Sequence, residues 1–232
     1  MNTLAIQQPA SAKKINDHPI LFSGSMIRAI LSSKKSQTRR IMNPQPTNDF
    51  NPPNGGIAEF YHPTMVDRRD GEIYPGPEIF GVADENQGYK SPYGHPGNRL
   101  WVKETWQAHL CAHVEHERIH YRADGECCPH DGERIKRWRP SIFLPRKFSR
   151  ITLEINAIRV ERLQDITEAE AQAEGVDACS LFGAAGPKYR HAYQILWNQI
   201  NGRDSWDKNP WVWIIEFNAP HEPRGEKTDN RE

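Results

Sequence analysis

A chain of 232 residues is long enough to bury one good core and does not require a second domain. Lys plus Arg and Asp plus Glu balance at 30 each, so net charge gives no argument for a polyanionic partner, and any basic surface has to be local. No apolar run approaches the roughly 18 residues of a membrane span, and the N-terminal stretch carries no signal-like apolar run; the expectation is a cytoplasmic protein with no membrane partner.

Four cysteines, Cys111, Cys127, Cys128 and Cys179, include an adjacent pair and do not read as a disulfide framework, so reduced thiols are expected. Seven Trp with 18 Pro and 16 Gly describe short elements, many turns and a compact aromatic core.

Residues 1–17 are polar and aperiodic, and residues 218–232 combine Pro, Gly and charge without apolar anchors; both read as loose tails. Between them, His18 to Phe22 reads as a short strand. Met26, Ile27, Ile30 and Leu31 then form one apolar helix face that Ser25 can cap. Lys35 to Ile41 is a polar, basic turn leading into a short strand before Pro44. Residues 43–98 are rich in Pro, Gly, Asn and Asp. The run Glu78 to Val82 and the aromatics around it mark this stretch as an ordered insertion rather than a linker.

Arg99 to Trp106 reads as one strand launched by Pro96-Gly97, and Ile119 to Ala123 as another that pairs in a sheet. After Arg150 the alternation Ile151, Leu153, Ile155 shifts phase to Ile158 and Val160, the mark of a bulge. Thr167 and Glu170 fit a capping box for a short helix that Gly175 ends. Pro187 opens a second helix, with Tyr189, Tyr193, Leu196, Trp197 and Ile200 on one stripe and Gly202 at its close. Trp211 to Phe217 is apolar on both faces, as a strand buried on both sides must be, and the barrel is expected to close on it. The pattern predicts a mixed α/β fold dominated by β, a small and mostly antiparallel β-barrel with peripheral short helices and a long insertion.

Several motifs are rejected on context. His116-Glu117-Arg118-Ile119-His120 spells HExxH, which binds zinc only on a helix. In a strand, four residues span ~13 Å and the two imidazoles cannot share a metal. Cys111, His113, Cys127, Cys128 and His130 show no paired ligand spacing. Phosphate-loop, dinucleotide and serine-hydrolase signatures are all missing. No metal or cofactor is expected.

The order of Phe22-Ser23-Gly24, Lys35 to Arg40, Gly97 to Val102, Ile151 to Ile155 and Trp211 to Phe217 resembles the ASCH superfamily over most of residues 18–217. Tyr121 to Glu126, Trp138 to Ser141 and Ser205 to Asp207 further resemble ASCH proteins carried by phages and prophages. The resemblance implies a PUA-like barrel with a cleft for RNA, a nucleoside or a modified base, in a bacterial host. One branch of the family comprises acetylcytidine amidohydrolases with a K-x-x-T-x-R segment and a Glu late in a short helix. Lys35, Thr38 and Arg40 match the first, and Glu174 the second. The 43–98 insertion and a 107–149 elaboration depart from that branch.

For this trio the resemblance implies Glu174 as general base, Thr38 as nucleophile or water-positioning hydroxyl, and Lys35 as the cation for an oxyanion. The three are then expected in one cleft, within hydrogen-bonding reach. Read without it, Lys35 is a solvated turn residue, Thr38 a strand-end hydroxyl and Glu174 a charge near a helix end. Lys34, Lys35, Arg39 and Arg40 form a local basic cluster suited to phosphates. Trp101, Trp106 and Trp138 are candidate stacking surfaces for bases, whereas Trp197, Trp211 and Trp213 read as core. Two alternatives stay open: a non-catalytic RNA-binding module, and a phage accessory protein that binds a host protein through the insertion.

Overall fold

The computed structural model describes residues 15–110, 117–125, 137–178 and 188–218. Strands dominate a mixed α/β fold. The chain runs β1 (Asp17–Leu21), α1 (Gly24–Leu31) and β2 (Gln37–Ile41), then through the insertion as β3 (Glu59–Tyr61), β4 (Thr64–Val66), β5 (Ile73–Pro75), β6 (Ile79–Ala83) and β7 (Gly88–Lys90). It continues as β8 (Arg99–Lys103), β9 (Trp106–Leu110), β10 (Glu117–Tyr121), β11 (Thr152–Arg162), α2 (Glu168–Ala173), α3 (Lys188–Asn201) and β12 (Trp211–Phe217).

The main sheet has the order β1-β8-β11-β12-β2, antiparallel except for the β1 and β8 pair. β12 therefore lies inside the sheet, between β11 and β2, rather than closing a barrel. No described pairing joins β1 to β2. At that seam the Arg40 guanidinium donates to Leu21 O at 2.5 Å and sits over the Phe22 ring, which packs against Phe217. A side chain thus spans an edge that backbone hydrogen bonds leave open. Alternation along a strand reports which faces are buried, not which strands are neighbours, so β12's position was not readable from its apolar run.

β12 is buried on both faces, as its sequence requires. Trp213, Ile215 and Phe217 enter one core with Leu153, Ile158 and Val160, while Val212 and Ile214 enter a second with Leu163, Tyr193, Trp197 and Trp206. The helices α2 and α3 cover this second face. β11 shifts register between Ile155 and Ala157, where the phase change predicted a bulge.

The insertion forms a three-stranded sheet, β3-β6-β7, and a separate β4-β5 ribbon. Phe50, Phe80 and Val82 belong to the main core, which explains its order. Gly56 takes φ +77°, and a Cβ there would fall 2.2 Å from Val160 O, so only glycine lets the insertion approach β11 this closely.

Several local expectations need correction. Residues 37–41 form a strand rather than a turn, and Ser23, not Ser25, caps α1. The stretch 99–106 breaks into β8 and β9 around Glu104, a buried carboxylate gripped through both oxygens by Arg150, which also binds Asp124 through two bonds. β9 then pairs with β10, and Glu117–Tyr121 is extended, which removes the helix that HExxH needs. His116, Pro187 and all four cysteines lie outside the described residues. In α3, Tyr193 and Trp197 are buried but Ile200 faces solvent. Among the described residues no helix is long and apolar enough to cross a membrane.

The two-sided burial of β12 has a measurable consequence. Ile214→Ala is expected to cost about 2–5 kcal/mol of stability, whereas Val66→Ala on the exposed ribbon is expected to stay within about 0.5 kcal/mol. Urea denaturation of the two variants checks the contrast.

Candidate functional site

Lys35 reaches its position through the way α1 ends. Ser33 takes a left-handed φ of 56°, and the backbone amides of Lys34 and Lys35 both return to Ala29 O, at 2.8 and 3.1 Å. The chain is then stitched on two sides: Ser36 N donates to Ala173 O at the end of α2, and Phe217 N of β12 donates to Ser36 O. Gly175 allows the fit. It has φ +80°, and a Cβ there would lie 2.8 Å from the Cβ atoms of both Ala29 and Lys35.

This stitching brings the two sequence-distant charges together. Lys35 Nζ donates to Glu174 Oε2 at 2.7 Å and to Glu174 O at 2.8 Å. The lysine has no exposed surface and Glu174 only 2 %, so the solvated-turn reading of Lys35 does not describe the molecule. Burial pulls the Lys35 ammonium below the ordinary lysine range, and the Glu174 charge opposes that pull.

Arg39, on β2, turns inward to the same carboxylate, with Nη1 at 3.4 Å from Glu174 Oε1. Its Nη2 lies 3.2 Å from Glu170 and 3.7 Å from Glu161. Arg159 extends the network to Glu161, Glu170 and Glu216. Arg39 is therefore committed to carboxylates rather than presented to a phosphate, and Arg40 is committed to the β1 seam. Lys34 alone of that basic cluster is well exposed, paired with Asp177 at 3.2 Å.

Thr38 is buried and lines a cavity of about 100 Å³ together with Glu174, Tyr193, Trp197, Met26 and Leu196. Thr38 pairs with Ile215 and Arg39 with Ile214, so their side chains leave opposite faces of β2. The cavity touches both because β2 is an edge strand. Lys35 is not in its lining; it lies behind Glu174. Burial pushes the Tyr193 phenol well above its ordinary value, and the Glu174 carboxylate beside it adds to the rise.

The stacking candidates separate. Trp106 is 3 % exposed, with Arg139 over its ring. Trp101 is half-buried between Lys103 and Arg146. Trp197 and Trp213 are core, as their periodicity predicted, and Trp211 packs against that core at its margin. Sequence reasoning missed Arg159, Glu161, Glu170 and Glu216 as members of the ionic network. One signal was available, because Arg159 and Glu161 sit two apart on a strand and so share a face. Glu170 was visible only as a capping residue; it is one, and its carboxylate also serves Arg39 and Arg159.

Among the described residues no group of His, Cys, Asp and Glu is arranged to hold a metal ion. In comparisons with known proteins, no family model, no curated protein and no solved structure matches the chain.

Two outcomes follow from the ionic cluster. Removing one partner of a buried pair strands the other, so Glu174→Leu is expected to cost about 3–5 kcal/mol. The double variant Lys35→Met/Glu174→Leu should cost less than Glu174→Leu alone; equal or additive losses in urea denaturation would show that the pair is not coupled. The second concerns acid. Burial alone raises Glu170, but the Thr167 amide and the Arg39 charge outweigh it and hold the carboxyl below its ordinary 4.5. Its contribution is therefore complete above that value and is lost as pH falls through the depressed folded value. In Glu170→Gln the acid limb of the stability profile should flatten.

Proposed function

We propose that this chain is a PUA-like protein of the ASCH type that binds a nucleic acid or a modified nucleoside and hydrolyses an acyl amide on it, N-acylated cytidine being the substrate class to test. The observation that supports this reading is the meeting of Lys35 and Glu174 at 2.7 Å, out of solvent, beside a cavity that Thr38 lines. Side chains so far apart in sequence and so costly to bury are a recurring property of reaction centres.

The chemistry needs few parts. Thr38 positions a water against the amide carbonyl, and Glu174 takes the proton as the oxygen attacks. Lys35 spends two of its three N–H donors on Glu174, and from behind that carboxylate its charge, rather than a direct hydrogen bond, favours the developing oxyanion. The C–N bond breaks, the proton passes from Glu174 to the leaving amine, and a carboxylate is released. The cavity, at about 100 Å³, is well below the roughly 300–1,000 Å³ of sites that enclose a whole ligand. It suits the acyl group, with the base resting outside.

A second reading is favoured by one observation: Lys35 has no exposed surface and is absent from the cavity lining. On that reading the cluster fastens α2 to β2 and the protein is a non-catalytic binding module.

Turnover separates the two. Release of acetate from N-acetylcytidine is expected, with Thr38→Ala and Glu174→Gln lowering kcat/KM by about 100-fold or more while far-ultraviolet circular dichroism stays unchanged. Release that survives both substitutions would remove this site, and no release from any acylated nucleoside would leave the binding module.

A further inference from the structure

A second surface lies away from the Lys35 cluster, on residues that the charge balance of the whole chain conceals. Between 137 and 150 the sequence carries Arg137, Arg139, Arg146, Lys147 and Arg150 and no acidic residue. The fold sets this segment against β8 and β9. Arg139 exchanges two backbone hydrogen bonds with Trp106, and Lys103 Nζ holds Ile142 O at 2.7 Å.

A cavity of about 710 Å³ opens there, walled by Trp106, Gln107, Arg137, Trp138, Arg139 and Phe143. It is several times larger than the cavity at Thr38 and within the usual range for ligands. Phe143 is 68 % exposed, a large apolar ring held out beside two arginines. Past Ile142, Trp101 lies between Lys103 and Arg146 at 5.1 and 5.8 Å. Aromatic planes and cations thus alternate along one face. Three carboxylates of the neighbouring described residues are already occupied: Asp17 by Arg99 and Arg146, and Glu104 and Asp124 by Arg150.

Two polar atoms in the wall are unsatisfied. Trp106 Nε1 and Gln107 Oε1 are buried and have no hydrogen-bond partner among the described residues. Leaving such groups unpaired is costly. They are a donor and an acceptor on successive residues of β9, whose side chains leave opposite faces of the strand, so each offers a single hydrogen bond rather than a paired edge.

We propose that this face binds single-stranded nucleic acid, with bases against Trp138 and Phe143, Trp106 Nε1 and Gln107 Oε1 each offering it a separate hydrogen bond, and phosphates met by Arg137, Arg139, Lys103 and Lys147. A single strand fits better than a duplex because its bases are free to stack and to present their edges. The proposal extends the reading of the chain as a nucleic-acid-handling protein and does not depend on the Lys35 centre.

The test uses the full chain and fluorescein-labelled oligouridine and oligothymidine of about 12 nucleotides, followed by anisotropy from about 50 to about 200 mM salt. Saturable binding that weakens with salt, and a blunt duplex bound more weakly, are expected. Phe143→Ala removes an exposed ring and should weaken binding about tenfold. Arg137→Glu, also at an exposed side chain, should lower the slope of log affinity against log salt by about 0.7. No saturable binding at low salt, a duplex bound as tightly as the single strand, or both variants binding like the parent would each overturn the proposal. Binding is read without turnover, so loss of the acyl reaction and loss of this surface are separate results.

Discussion

The burial of one ammonium group organises much of this molecule. Taking Lys35 out of water is unfavourable by several kcal/mol before any partner is counted, so the pair with Glu174 exists only because neighbouring structure holds both ends in place. The return of α1 to Ala29, the closeness allowed by Gly175, and the hydrogen bonds from Ser36 to α2 and β12 all serve that end. The arrangement also works in reverse. Because the charges cannot separate without leaving one stranded, α2 is fixed against the start of β2, and the cavity beside Thr38 keeps its shape. Rigidity of this kind is what a reaction centre needs, and equally what an edge strand needs if it is not to pair with another chain.

The ionic network spreads this constraint along β11 and β12. Arg159 reaches Glu216 on β12 and Glu170 on α2, while Arg39 reaches Glu161, Glu170 and Glu174. Polar groups on a buried sheet face ordinarily weaken a core. Here they come from three adjacent strands, β11, β12 and β2, on the face that also carries Val212 and Ile214 of the second apolar cluster, with charges matched one against another.

The sequence made the elements legible where a local rule operated. The capping box of Thr167 and Glu170, the phase shift at Asn156, the stripe of Tyr193 and Trp197 and the two-faced run of β12 all depend on residues close in the chain, and each has its counterpart in the structure. The break after Lys103 was hidden because it depends on Glu104 meeting Arg150, far along the chain. The same limit applies to the site. The meeting of Lys35 with Glu174 was expected from a resemblance, not from spacing, while the inward turn of Arg39 escaped notice because a basic turn looks the same on paper whether its arginines face water or carboxylates.

The strand order also sets a timetable. β1 and β2, made within the first 41 residues, occupy opposite ends of the main sheet. β1 must wait for β8, and β2 for β12, with Gln37 opposite Glu216. Each sheet bond made by β2 closes a loop that spans most of the chain, the kind of topology that folds slowly. On the ribosome, then, the basic strand that carries Thr38 and Arg39 has no β12 partner until the long stretch of chain between Ile41 and Trp211 has been translated.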